Sequence, residues 1–227
     1  SAKTIEKTIQ SVASQVYDNI EYIIIDGASK DETITILKNN IKHITTYITE
    51  PDLGLYDAMN KGIAMATGAL IGILNSDDIF NNKYVLKKVV EFHSENDIDA
   101  SIGNIIQFNE EDKVVRTYSA KNWNPSKLKF GFMPAHPAIF FKRTLFDKLG
   151  NYHLDFTIGA DYELITRFFL KHKITWKYSG ITTTKMLIGG LSSSGVSSYL
   201  LISKEIKRSI SMIIKFFFIN KLLGGGN

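Results

Sequence analysis

Leu70-Ile-Gly-Ile-Leu74 is an apolar run of strand length without polar alternation, and it constrains the fold more than any other stretch. A strand with no polar face is buried on both sides, which demands packed layers above and below it. The run stops at Asn75-Ser-Asp-Asp78, so two adjacent carboxylates stand where a buried strand leaves its sheet. Open α/β sheets bind their ligands in that crevice, at the carboxyl ends of the strands. Two acids there suit a hard divalent cation and the phosphates it carries, because Mg²⁺ is usually held by one or two carboxylates plus phosphate oxygens. The competing reading makes Asp77 or Asp78 only a cap for the helix after Asn81.

The flanking sequence alternates helix and strand periods. Ile5, Ile9, Val12 and Val16 recur at helical spacing, and Glu21–Asp26 is a β-rich run that ends on an acid. Gly27–Asp31 reads as a turn in which Asp31 caps a helix carrying Ile34, Leu37 and Ile41. A second strand is expected over His43–Thr49, then a loop at Glu50–Gly54 and a helix over Tyr56–Ala66. Another helix follows over Lys83–His93, with a strand over Ile98–Ile106. This alternation predicts an α/β fold with a mostly parallel sheet covered by helices on both faces. Beyond it, a hairpin is expected over Phe108–Tyr118, a strand over Ala135–Phe141 and a short helix from Thr144 to Gly150. Asp161 falls in the first turn of an apolar helix containing Leu164, Ile165, Phe168 and Phe169. Gly189–Ser198 reads as a linker, which sets one domain over residues 1–190 and a helical tail over 191–227.

Composition narrows the chemistry. With no cysteine, any metal must use oxygen or imidazole ligands, and thiol nucleophiles and zinc–thiolate sites are excluded. The net charge of +4 is scattered until the last part of the chain, so no nucleic-acid footprint is expected. Leu200–Leu223 is apolar but interrupted by Lys204, Lys207, Arg208, Lys215 and Lys221. That pattern suits a helix lying on a membrane surface or packed on the domain better than one spanning a bilayer. A cytoplasmic protein, peripheral at the cytoplasmic face of the membrane through this helix, is the expectation.

Four motifs in order, Glu21–Asp31, Glu50-Pro-Asp-Leu-Gly-Leu-Tyr-Asp-Ala-Met-Asn-Lys-Gly62, Leu74-Asn-Ser-Asp-Asp78 and Gly159-Ala-Asp161, resemble family 2 glycosyltransferases of the GT-A fold. The likeness runs to about Gly190. It implies the Rossmann-like architecture of nucleotide-diphospho-sugar transferases and a Mn²⁺ or Mg²⁺ ion on the donor diphosphate, held by Asp78 with Asp77 assisting. It also implies nucleotide contacts from Asp26, Ser29, Asp57, Lys61, Asn75 and Asp77, and Asp161 as the base. The donor is a nucleotide sugar, with UDP-sugars favoured, and the acceptor a saccharide or lipid-linked molecule of cell-surface polysaccharide synthesis. Asn75 departs from the pattern, standing where many members carry the first acid.

The residue types fit that chemistry. Departure of a diphosphate requires charge neutralisation, and an attacking hydroxyl with a high pKa requires a positioned base such as a carboxylate. If base and leaving group lie on opposite faces, the anomeric centre inverts. Asp26, acceptor-only when ionised, suits the imide N–H of uracil. Blander readings are a cap for Asp31, a surface ion pair for Asp57 with Lys61, a helix-terminus charge for Asp161 and a structural role for His136. Phe168, Phe169, Phe216 and Phe217 read as core or interface. Family members begin with a strand and turn before the helix that opens this chain, so an N-terminally truncated copy is expected, its strand placed between those ending at Asp26 and Asp78. The alternatives are a truncated, non-catalytic binding domain and a sugar nucleotidyltransferase. The latter needs a Gly- and Arg-rich phosphate loop, and nothing between Asp26 and Asp78 resembles one.

Overall fold

The computed structural model describes residues 1–188 and 196–223, with side chains described to 188 and over 199–213. Ile5, Ile9 and Val12 bury one face of α1 (Ile5–Ala13), with Thr8 beneath them. Ile5 and Ile9 pack with Leu37 of α2 (Thr33–Asn39) and with Ile44. Between the helices runs β1 (Ile23–Asp26), which pairs in parallel with β2 (Thr46–Thr49). The strand–turn–helix expectation is met, with α3 (Leu55–Met65) following β2 and burying Tyr56 and Ile63.

A second, six-stranded sheet takes the rest of this unit: β3 (Leu70–Gly72), β4 (Asp78–Phe80), β5 (Ala100–Phe108), β6 (Val114–Tyr118), β7 (Ile139–Lys142) and β8 (Trp176–Leu187). Its order is β3-β7-β5-β8-β4, with β6 hairpinned onto β5. The α/β class holds, while pairing in this sheet is mixed. In this sheet only β5 and β8 run in parallel; β7 and β4 pair antiparallel with their neighbours. Val85 and Val89 of α4 (Val85–Glu95) pack on Phe140 of β7. The expected apolar run leaves the ladder at Gly72, so Asn75–Asp77 form a loop and Asp78 opens a separate short strand.

Contacts divide the chain into two compact units. The first comprises residues 1–122, 134–151 and 175–188 and holds the eight strands found among the described residues together with α5 (Thr144–Leu149). The second joins 123–133, 152–174 and the C-terminal segment from 189. It contains α6 (Ala160–Thr166), continued by a π-helical stretch over Arg167–Lys171, and α7 (Val196–Leu223). The C-terminal helix thus shares a unit with two earlier segments. Residues 189–195 of the expected linker, and the side chains of Lys215, Phe216, Phe217 and Lys221, lie outside the described residues. Among the described residues no helix is long and apolar enough to cross a membrane.

Candidate active site

In the first unit, Asp26 ends β1 and is 6% exposed, with its Oδ2 accepting the Ser29 amide at 3.0 Å. This closes the β1–α2 turn locally. Asp31 stands one residue ahead of the α2 N-cap Glu32; its Oδ1 accepts the Thr33 amide at 3.1 Å and its Oδ2 the Ser1 ammonium at 2.9 Å. The edge of β1 opposite β2 carries no ladder among the described residues. With Ile5, Thr8, Leu74 and Ser76 it lines a cavity of about 130 Å³. Asp26 lines the same cavity, so the end of β1 and the loop before the acid pair meet there.

The acid pair is asymmetric. Asp78 is 1% exposed; its Oδ2 accepts the Asn75 side-chain amide at 2.9 Å, and its backbone carbonyl accepts the Thr8 hydroxyl at 2.8 Å. Burial, reinforced by the Asp77 charge, pushes its carboxyl up to about 7. Asp77 is half-buried. Among the described residues neither acid pairs with a protein cation. Two hard carboxylates left in this state fit a divalent cation, which would offset both the burial and the mutual repulsion. No group of three or more His, Cys, Asp or Glu converges among the described residues. A cation here would complete its shell from phosphate oxygens and water.

Asp57 and Lys61 meet as their spacing predicts, at 3.3 Å, and Lys61 also reaches Glu50 at 2.8 Å. Asp57 accepts the Leu53 amide at 3.0 Å, and Lys61 donates to the Pro51 carbonyl at 3.3 Å. Both therefore hold the 50–54 loop. That loop carries Asp52, a residue the sequence reading passed over. Its carboxylate lies over Gly27 so closely that a Cβ there would stand 2.4 Å from Oδ2. The neighbouring Ala28 takes a left-handed φ of 59°.

The second unit holds Asp161, half-buried in the first turn of α6, its Oδ1 accepting the Tyr162 amide at 2.7 Å. Beneath it, Glu163 and Arg167 form a buried two-point ion pair, Nε–Oε1 2.9 Å and Nη2–Oε2 3.0 Å. The Tyr162 hydroxyl donates to the Leu128 carbonyl. Phe168 and Phe169 are core, as expected, Phe169 meeting Trp123 edge-on at 5.3 Å. His136, back in the first unit, is buried, and desolvation lowers its imidazole to about 4. Its imidazole is held neutral at physiological pH.

A model of glycosyl transferase family 2 matches residues 1–158. An uncharacterized glycosyltransferase of Mycobacterium tuberculosis is 36% identical over 169 residues, covering 72% of this chain and 63% of that protein. A PGL/p-HBAD biosynthesis glycosyltransferase of Mycobacterium bovis is 27% identical over 216 residues, covering 93% of this chain and 80% of that protein. Among solved structures, S. aureus TarS 1-349 in complex with UDP-GlcNAc has a TM-score of 0.72 at 17% identity, over 92% of this chain and 63% of that one. The mannosyltransferase PcManGT from Pyrobaculum calidifontis, in complex with GDP-Man and Mn²⁺, has a TM-score of 0.68 at 15% identity, over 95% of this chain and 61% of that one. The chain thus spans less than two thirds of the M. tuberculosis relative, and the structural likenesses establish the fold.

Proposed function

Because the chain belongs to glycosyl transferase family 2 and has the GT-A fold, we propose that it transfers a sugar from a nucleotide-diphosphate donor to a saccharide or lipid-linked acceptor with inversion. The observation that carries this reading is the acid pair at the start of β4. Asp78, whose carboxylate is oriented by the Asn75 amide, takes the leading place at a Mn²⁺ or Mg²⁺ ion, and the more accessible Asp77 assists it. When bound, such an ion supplies charge neutralisation to the departing diphosphate. Neighbouring structures bound to UDP-GlcNAc and to GDP-Man with Mn²⁺ support the donor class.

On the protein side, Asp26 has one carboxylate oxygen fixed by Ser29; we assign its other oxygen to the imide N–H of a uracil base, with Ser29 beside it. Asp57 and Lys61 act on the nucleotide through the 50–54 loop that they hold. Asn75 fixes the orientation of Asp78. Asp161 removes the acceptor proton as base. A cell-surface glycan pathway is in keeping with the M. bovis relative, named for PGL/p-HBAD biosynthesis. We place the protein in the cytoplasm, with α7 reaching toward the membrane through its exposed Lys204 and Lys207.

The test separates binding from chemistry. Asp161→Asn should keep nucleotide affinity and lose transfer by roughly 10² or more, since a positioned base contributes 10²–10⁴. Proton NMR of the product anomer should show inversion. Transfer at the parental rate by Asp161→Asn, or a retained anomer, contradicts the assignment.

A further inference from the structure

Backbone amides just ahead of a helix have no intrahelical partner and must find acceptors elsewhere. Ahead of α6 that acceptor is one side chain from the C-terminal helix. Glu205 of α7 is 6% exposed and accepts from three consecutive amides: Thr157 to Oε1 at 2.8 Å, Ile158 to Oε2 at 3.0 Å and Gly159 to Oε2 at 2.7 Å. The approach is close enough that a Cβ on Gly159 would stand 3.1 Å from both Cβ and Oε2 of Glu205, so the residue at this helix start must be small. One turn further along α7, Arg208 donates to the Asp155 carbonyl at 3.0 Å, pairs with the Asp155 carboxylate, and lies 4.4 Å from the Phe156 ring centroid. Every residue from Asp155 to Gly159 is therefore held by Glu205 or Arg208.

We propose that Glu205 is a positioning residue for Asp161, and that α7 is thereby part of the catalytic apparatus. The inference rests on the assignment of Asp161 as the base. Gly159 is the residue before α6, and Asp161 is its second helical residue, so the backbone that Glu205 fixes is the backbone that aims the carboxylate. Charge-assisted bonds from a carboxylate to backbone N–H groups are the stronger kind, and a misplacement of about 1 Å costs a reacting group on the order of 10²-fold in rate. Glutamine at 205 keeps the shape but offers one carbonyl oxygen to three amides and turns an NH₂ group toward the others.

The experiment uses the whole protein with UDP-GlcNAc and GDP-mannose as probes, following nucleoside diphosphate release, together with hydrogen exchange over residues 155–161. For Glu205→Gln we expect faster exchange at Thr157–Gly159 and a kcat lowered about 10- to 100-fold, with the donor KM within about twofold of the parent. Glu205→Asp, which keeps the charge on a shorter arm, should fall between Gln and parent. Arg208→Ala, at a more exposed contact, should reproduce the effect more weakly should Glu205→Gln not fold. Unchanged exchange, or faster exchange with parental kcat, overturns the inference while leaving the Asp161 reading standing. Parental turnover by Asp161→Asn overturns both.

Discussion

At the scale of single residues, Asp78 carries the sharpest consequence. Its carboxyl titrates near 7 in the folded protein, against about 3.9 when exposed, because burial and the Asp77 charge disfavour its ionised form. A raised acid contributes its stability fully below the unfolded value and loses it as pH rises through the folded one. Between pH 4 and 7 the unfolded chain ionises Asp78 while the folded protein keeps it protonated, so stability on the order of 4 kcal/mol is lost. Asp78→Asn removes that cost and keeps an acceptor for Asn75. Its advantage over the parent in thermal unfolding without metal should be near zero at pH 4 and grow to pH 8. A constant difference across that range would contradict the environment described. Buried His136, held near 4, works in the opposite sense, giving stability above about pH 6.5 that is lost on acidification. The acid pair itself was legible in the sequence as an apolar run cut short by carboxylates. Which acid faces inward was not, since Asp78 opens β4 and its direction is set by pairing with β8. Asp52 was equally hidden: its place over Gly27 depends on two loops far apart in sequence.

At the scale of elements, β8 shows where sequence reading stops. Its 12 residues join β5 to β4 at the centre of the larger sheet, yet Lys177, Gly180 and Thr182–Thr184 leave no continuous apolar signal. The strand is held partly by polar bonds: the Thr184 hydroxyl donates to the Pro137 carbonyl at 3.0 Å and the Thr183 hydroxyl to the Asn104 carbonyl at 3.3 Å. By contrast, α1, α2 and α3 announced themselves by periodicity, and the β5–β6 hairpin by its polar turn. The apolar stripe of α6 was also legible, but the ion pair within it was not recognised. Glu163 and Arg167 have side chains 5% and 8% exposed. Arg167→Met would strand a buried carboxylate and should destabilise the protein by about 3–5 kcal/mol in urea unfolding, whereas Glu163→Leu combined with Arg167→Met should recover most of the loss. An additive double variant would mean that the two residues do not act as a pair.

At the scale of the whole molecule, the four motifs placed the chain in its family because each reflects a local rule, a strand ending in an acid or a helix opening beside a carboxylate. The grouping of the C-terminal helix with residues 123–133 and 152–174 follows from long-range contacts such as Glu205 to Thr157, and no periodicity encodes those. The central claim is that this molecule binds a nucleoside diphosphate through a divalent cation at the acid pair. Thermal unfolding and calorimetric titration of the whole protein with UDP and GDP, in Mn²⁺ and in EDTA, test it most directly. The account predicts that at least one diphosphate binds in Mn²⁺, raising the melting temperature, that EDTA abolishes the effect, and that Asp78→Asn loses the metal-dependent part while Asp161→Asn keeps it. Equal affinity with and without metal in the parent and in Asp78→Asn, or no binding of either nucleotide, would contradict it.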